Sequence, residues 1–105
     1  MHKLIEQNRE QIARLCRQYG VRRLEVFGSA ARGWDFDPTK SDADFLVDFD
    51  DAVDMPPLKQ FFGLADDLQA LLGRSVDLAE RKAVEASRNY IRRKQILAEV
   101  EPVYG

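Results

Sequence analysis

Two aspartates, Asp42 and Asp44, are separated by one residue in a stretch where apolar and polar residues alternate. Residues i and i+2 of a β-strand project from the same face, so the spacing predicts two adjacent carboxylates on one strand. Such like charges repel each other unless a cation lies between them, and Mg²⁺ prefers hard oxygen ligands. A solvated strand edge is the plainer interpretation. Aspartate is a poor strand former, however, and that interpretation does not explain the cost of placing two there.

Gly28 and Ser29 follow a short β-favouring run and precede residues that can open a helix. Glycine allows the backbone to approach a bulky anion, the start of a helix offers free N–H groups to a phosphate, and the serine hydroxyl adds a donor. Many ordinary strand-to-helix turns also contain Gly-Ser, so this pair alone does not establish a phosphate site.

Asp77 lies between Val76 and Leu78 in a short alternating run. On its own it is the outward residue of a strand. If this strand pairs beside the strand of Asp42 and Asp44, three carboxylates meet on one sheet face, and the Gly-Ser turn is aimed at that face. Phosphoryl-type transfer needs this arrangement, because two Mg²⁺ ions about 3.5–4 Å apart can hold the attacking and leaving oxygens.

The composition bounds the kind of protein that can carry this chemistry. The chain has 105 residues, of which 45% are hydrophobic and 32% charged, as expected of one small globular domain. Cys16 is the single cysteine, which excludes an internal disulfide and favours the reducing cytoplasm. We expect no membrane segment, since apolar runs are short, and no direct nucleic-acid binding, since the net charge is −2.

Hydrophobic spacing predicts the elements of the first half of the chain. They are a helix over Leu4–Tyr19, a strand over Leu24–Phe27, a turn opening a short helix over Gly28–Gly33, a polar loop over Trp34–Ser41 and a strand over Ala43–Phe49. Trp34 could pack on the domain, on a partner or on a nucleobase, and packing is the preferred interpretation.

The second half is predicted to contain two helices around a third strand. A helix starts at Pro57 and ends at Gly73, a strand covers Ser75–Ala79, and a helix covers Lys82–Glu101, with imperfect periodicity near Arg92–Lys94 and a stop at Pro102. The order helix, strand, short helix, strand, helix, strand, helix predicts an α/β (α+β) fold in which a small mixed sheet packs against helices.

Three motifs taken together carry a family resemblance. Gly28–Gly33, Ser41–Asp44 and Val76–Leu78, in this order, resemble the nucleotidyltransferase superfamily that includes DNA polymerase beta, and the short chain resembles its minimal nucleotidyltransferase family. The resemblance implies the nucleotidyltransferase fold in a single domain over residues 1–105. The interval between Gly28 and Asp42 is slightly long for the family, which leaves the loop conformation open.

The resemblance also implies roles for individual residues. Gly28 and Ser29 would bind the β- and γ-phosphates of a nucleoside triphosphate, with Arg32 helping to neutralise their charge. The paired Asp42 and Asp44 would hold two Mg²⁺ ions. In addition, Asp77 would ligate the catalytic ion and help to activate the acceptor hydroxyl. The reaction would be attack on the α-phosphorus of ATP with release of pyrophosphate.

We expect no additional domain to hold an acceptor in this chain, in contrast to polymerases and aminoglycoside nucleotidyltransferases. Minimal nucleotidyltransferases are commonly paired with a HEPN-domain ribonuclease toxin. The resemblance therefore implies an antitoxin that adenylylates a tyrosine of such a partner.

Two alternatives remain open. The chain could neutralise its partner by contact alone, with Arg88, Arg92, Arg93 and Lys94 as a docking surface for an acidic protein. A solvated helix face is the plainer interpretation of this basic cluster. The chain could instead modify a small molecule such as an antibiotic, which is disfavoured because no second domain forms a pocket unless a homodimer does.

Overall fold

A four-stranded mixed sheet forms the centre of the protein, whose computed structural model describes residues 1–34, 37 and 42–105. The strands are β1 (Val21–Phe27), β2 (Ala43–Phe49), β3 (Val76–Glu80) and β4 (Glu101–Tyr104), arranged in the order β3-β2-β1-β4. β1 is antiparallel to β2 and β4, whereas β2 and β3 are parallel. The predicted α/β class with a small mixed sheet is confirmed. Most of the predicted loop Trp34–Ser41 lies outside the described residues.

Six helices accompany the sheet in the described part of the chain. They are α1 (Lys3–Gln7), α2 (Arg9–Gln18), α3 (Gly28–Arg32), α4 (Pro57–Leu72), α5 (Arg81–Glu85) and α6 (Tyr90–Ala98). None of the described helices is long and apolar enough to cross a membrane.

One face of the sheet carries the main hydrophobic core. Ile12 and Cys16 of α2 and Leu64 and Leu68 of α4 are fully buried against inward residues of the strands, among them Phe45. The alternation in β2 places Phe45 in this core, as predicted, and the face of β2 that carries Asp44 is directed away from it. Short α5 contacts β2 and β3, so that other face is only partly covered.

The predicted N-terminal helix is interrupted at Asn8. The Asn8 side chain donates to the carbonyl of Leu4 at 2.8 Å, while the Asn8 carbonyl accepts from the N–H of Ile12 at 2.9 Å. One residue thus ends α1 and begins α2. Asparagine competes for backbone hydrogen bonds in this way, which hydrophobic spacing does not reveal.

The C-terminal region differs more from the prediction. Its helix divides into α5 and α6, and the break falls before Tyr90 rather than near Arg92–Lys94, because the Asn89 side chain caps α6 by accepting from the Arg92 N–H at 3.1 Å. Pro102 lies inside a strand. It is tolerated because β4 is at the edge of the sheet, where a missing N–H is harmless.

Candidate active site

The parallel pairing of β2 and β3 places Asp44 directly beside Asp77 in the sheet register. Asp42 immediately precedes β2 and has the same strand parity as Asp44. The strand of Asp77 therefore pairs beside the strand of Asp44, which is the pairing that three carboxylates on one sheet face require. Asp42 and Asp77 are exposed and Asp44 is half-buried, so the three carboxylates line a surface that a ligand can reach.

The electrostatics of Asp44 show that these charges interact. Burial, followed by the negative charges of Asp77 and Asp42, raises the pKa of Asp44 to about 6, whereas the positive charge of Arg32 acts to lower this pKa. A carboxyl group with a raised pKa among other carboxylates is a place where a cation is stabilising. The site therefore has an excess of negative charge, offset in part by one guanidinium.

Gly28 brings the Gly-Ser turn against the central carboxylate. The backbone of Gly28 has φ +65°, in the left-handed region, and a Cβ atom at this position would lie 2.7 Å from Oδ2 of Asp44. The β1–β2 register, which pairs Phe27 with Asp44, explains this approach. The dihedral angle favours glycine, and the absence of a side chain lets the turn lie directly against Asp44.

Ser29 and Arg32 are on the short helix α3, which follows the turn. Ser29 is half-buried and its carbonyl accepts from the Gly33 N–H at 2.8 Å, closing the helix. Arg32 Nη1 donates to Glu99 Oε2 at 2.5 Å. The arginine predicted to meet phosphate is thus within electrostatic reach of Asp44 and is also joined to the residue that follows α6.

Glu99 is a residue near the site that sequence reasoning missed. It is 67 positions from Arg32 along the chain, and no local pattern links the two. Glu25 was missed in the same way. It is buried on β1 and forms a hydrogen-bonded ion pair with Arg81, the first residue of α5. This ion pair anchors the start of α5, which directly follows β3, the strand that carries Asp77.

The aspartates are suited to a divalent cation by their chemistry. Among the residues that the structure describes, no three acidic, histidine or cysteine side chains are already gathered as a metal site. Mg²⁺ does not require one, because it is usually bound through one or two carboxylates and completed by substrate phosphates and water. Carboxylate oxygens and the raised pKa of Asp44 fit this kind of site.

Trp34 does not pack against the domain as expected. Its side chain is 84% exposed, at the edge of the described segment that follows α3. Packing within the domain is therefore not observed, and nothing among the described residues covers the ring.

Comparisons with known proteins agree with this geometry. The sequence profile of the nucleotidyltransferase domain family matches residues 9–98, a span that includes the turn and all three aspartates. Protein adenylyltransferase MntA of Thermococcus cleftensis is 40% identical over 72 residues, which make up 69% of this chain and 68% of that protein.

Solved structures show the same fold. A structure described as a minimal nucleotidyltransferase is 32% identical and superposes with a TM-score of 0.72, covering 97% of this chain and 96% of that one. The MNT antitoxin in complex with tri-AMPylated HEPN toxin of Shewanella oneidensis shares the fold at 20% identity. Its TM-score is 0.62, over 96% of this chain and 72% of that chain.

Proposed function

This chain belongs to the minimal nucleotidyltransferase family, and on that premise we propose that it transfers AMP from ATP to a hydroxyl group of a partner protein. The observation that carries the proposal is the meeting of the Gly28 turn with Asp44, which in turn is paired with Asp77. The 40% identity to a protein named as an adenylyltransferase supports ATP as the nucleotide and a protein as the acceptor.

The triphosphate would lie along the turn. Gly28 leaves room for the β- and γ-phosphates near the backbone, the Ser29 hydroxyl donates to them, and Arg32 offsets their charge. Orienting the triphosphate in this way matters, because phosphoryl-type transfer depends on positioning and charge neutralisation more than on covalent chemistry by the protein.

Asp42, Asp44 and Asp77 would hold two Mg²⁺ ions. When bound, these ions neutralise the phosphates and the charge that develops during transfer. Without them the three carboxylates repel the triphosphate, so ATP binding and transfer are both expected to require the metal.

The transfer itself exchanges one P–O bond for another. The acceptor hydroxyl oxygen forms a bond to the α-phosphorus, while the bond from that phosphorus to the oxygen bridging to the β-phosphate breaks. Pyrophosphate leaves with the bonding electrons. The carboxylate of Asp77, which is exposed and therefore accessible to the acceptor, receives the hydroxyl proton and passes it to water.

We further propose that the acceptor is a tyrosine of a HEPN-domain toxin, that residues 1–105 act as one domain, and that the protein serves as an antitoxin in the cytoplasm. The Shewanella oneidensis complex, in which an AMPylated HEPN toxin accompanies an MNT antitoxin, supports this choice of partner. The single cysteine fits a reducing compartment.

The test incubates the purified chain with a HEPN-domain protein, Mg²⁺ and α-labelled ATP. Wild type is compared with Asp42→Asn and Asp44→Asn, and with Asp54→Asn as a control that removes one exposed charge outside the site. We expect label and AMP mass on the HEPN protein with wild type and Asp54→Asn only. If the site variants neutralise the toxin as wild type does, neutralisation occurs by contact and the proposal is wrong.

A further inference from the structure

Helix α6 has one exposed face, while its residues Arg93, Ile96 and Leu97 are partly buried. None of its residues, Tyr90–Ala98, is buried, and Tyr90 and Ile91 are 61% and 70% exposed. Exposed apolar side chains are common singly, as at Leu58 and Phe62 of α4, and are informative where they lie beside other features of an interaction surface.

The segment that carries α6 is basic, as residues 11–24 also are. Residues 86–98 contain four basic residues and no acidic residue, although the chain as a whole has a net charge of −2. Arg93 makes intramolecular contacts. Its Nη1 atom donates to the carbonyls of Glu85 and Ser87, and its guanidinium stacks on Tyr90. Arg88, Arg92 and Lys94 are exposed and can face a negatively charged surface.

The sheet order indicates from which side an acceptor must arrive. Gly28 follows β1, Asp44 is on central β2 and Asp77 is on β3, so the turn and Asp77 lie on opposite sides of Asp44. In an in-line displacement, the attacking oxygen approaches opposite the leaving group. If pyrophosphate leaves toward the turn, the acceptor hydroxyl enters from the β3 side.

Helices α5 and α6 flank this entry side. A cavity of about 210 Å³ lies between β3, α5 and α6, with Ala79, Val84 and Ile96 as apolar lining and Arg92 among its polar residues. Ala79 is two residues beyond Asp77, and therefore on the same sheet face. At its far end, α6 is followed by Glu99, which holds Arg32 near the turn. A protein bound along α6 would thus reach across the approach to the site.

We propose that the exposed face of α6 is the docking surface for the acceptor protein. The acceptor presents carboxylates to Arg88, Arg92 and Lys94 and places an apolar side chain against Tyr90 and Ile91. This inference rests on the proposed function, which identifies the acceptor as a HEPN-domain protein. It adds the chemistry by which the acceptor is chosen, namely an acidic surface with an apolar anchor.

The test compares two charge reversals of equal size. Arg92→Glu with Lys94→Glu changes α6, while Arg14→Glu with Arg17→Glu changes exposed residues of α2. A third variant, Ile91→Ala, removes the apolar contact at a residue that is 70% exposed and lies outside the core. Thermal unfolding checks the fold of each, and fluorescent ATP binding checks the nucleotide site.

The first measurement is the affinity for the HEPN-domain protein without ATP, by calorimetry at two salt concentrations. We expect the α6 reversal to weaken binding of the HEPN-domain protein tenfold or more. The affinity should also lose its dependence on salt concentration, because that dependence comes from the screening of the α6 charges. Ile91→Ala should weaken binding severalfold with the salt dependence unchanged. The α2 reversal should bind as wild type does.

The second measurement is AMP transfer to the same protein. The α6 reversal should raise the KM for the acceptor and leave kcat at saturation within about twofold, because docking energy that is uniform between ground and transition states affects KM. Equal binding by both charge reversals, or no binding by wild type, would overturn the docking surface. Loss of binding to a 20-nucleotide RNA with unchanged binding to the HEPN protein would also overturn it. Wild-type binding without any transfer would count against the proposed function and leave the docking surface standing.

Discussion

Oδ2 of Asp44 lies 2.7 Å from the position where a Cβ atom on Gly28 would be. The Gly28–Ser29 turn and the central carboxylate can therefore lie this close because residue 28 has no side chain. The contacting atom is the end of the Asp44 side chain, so a methyl group on residue 28 would move the carboxylate while the backbone of Asp44 stays paired with β1 and β3.

Gly28→Ala is expected to abolish nucleotide transfer. The new methyl group displaces the Asp44 carboxylate, and the left-handed backbone adds about 1–2 kcal/mol of strain. Gly73→Ala is a matched control, because Gly73 has a similar φ of +66° but no atom within 4 Å of the added Cβ. Both variants should lose similar stability in urea, while only Gly28→Ala loses ATP binding. Equal ATP affinity in the two would show that the contact with Asp44 is unimportant.

Asp44→Asn is expected to stabilise the metal-free protein while removing activity. The substitution ends the repulsion from Asp77 and Asp42 that raises the pKa of Asp44, a gain on the order of 1 kcal/mol in the free energy of unfolding. Mg²⁺ should stabilise wild type by about 1.4 kcal/mol at tenfold excess over its Kd, and the variant less. Thermal unfolding with EDTA and with Mg²⁺ measures both effects. If Asp44→Asn is less stable than wild type in EDTA, repulsion among the three carboxylates does not destabilise the metal-free protein.

The same pair of proteins gives a pH prediction. The pKa of Asp44 is raised from 3.8 to about 6, so the native state binds a proton more tightly than the unfolded state does. That stabilisation is complete below pH 3.8 and is lost as the pH rises through about 6. In EDTA, the stability of wild type relative to Asp44→Asn should therefore fall between pH 4 and pH 7. A difference that stays constant across this range would contradict the shift.

Glu99→Gln is expected to tighten ATP binding. The Glu99 carboxylate accepts from Arg32 at 2.5 Å and so would compete with a phosphate that binds this guanidinium, as the proposed function requires. The ion pair is partly exposed, and such pairs are worth at most about 1 kcal/mol, which corresponds to at most about a fivefold decrease in the Kd for ATP. Glu101→Gln, which removes an ion pair with the N-terminal amine, is the control. Weaker ATP binding by Glu99→Gln would mean that Glu99 positions Arg32 instead.

Tyr19→Phe is expected to destabilise the protein at neutral pH by about 2 kcal/mol, because the Tyr19 hydroxyl donates to the Asp67 carboxylate at 2.5 Å. This bond and the burial of the ring raise the pKa of Tyr19 from 10.0 to about 12. The stabilisation is complete below pH 10 and is lost as the pH rises through about 12. Urea unfolding of both proteins at pH 8, 10 and 11.5 should show the difference shrinking only at the highest pH.

Local patterns predicted the elements that position the site. The strand Ala43–Phe49 has its predicted bounds, because its alternation is strong and aspartates surround it. Helix α4 begins at Pro57 and ends before Gly73, whose φ of +66° closes it. The Gly-Ser turn and the aspartates were recognisable by residue type and order. Their roles in catalysis remain predictions, although the structure brings these side chains together.

Pairings between distant residues could not be predicted. The strand Glu101–Tyr104 exists only through its partner β1, where Val26 pairs with Glu101, and the sequence around Pro102 gives no strand signal. Likewise, the sequence did not determine the parallel register that places Asp44 beside Asp77. Glu99 and Arg32 meet because α6 passes near α3, which depends on the whole fold.

The outer strands of the sheet have a consequence for how this protein associates. Edge strand β3 has five residues and edge strand β4 has four, one of them a proline. Long exposed edges recruit strands from other molecules and lead to aggregation, whereas short edges and proline prevent such recruitment. The sheet edges of this protein are therefore poorly suited to strand addition, and we expect association through its other surfaces to occur without polymerisation through the sheet.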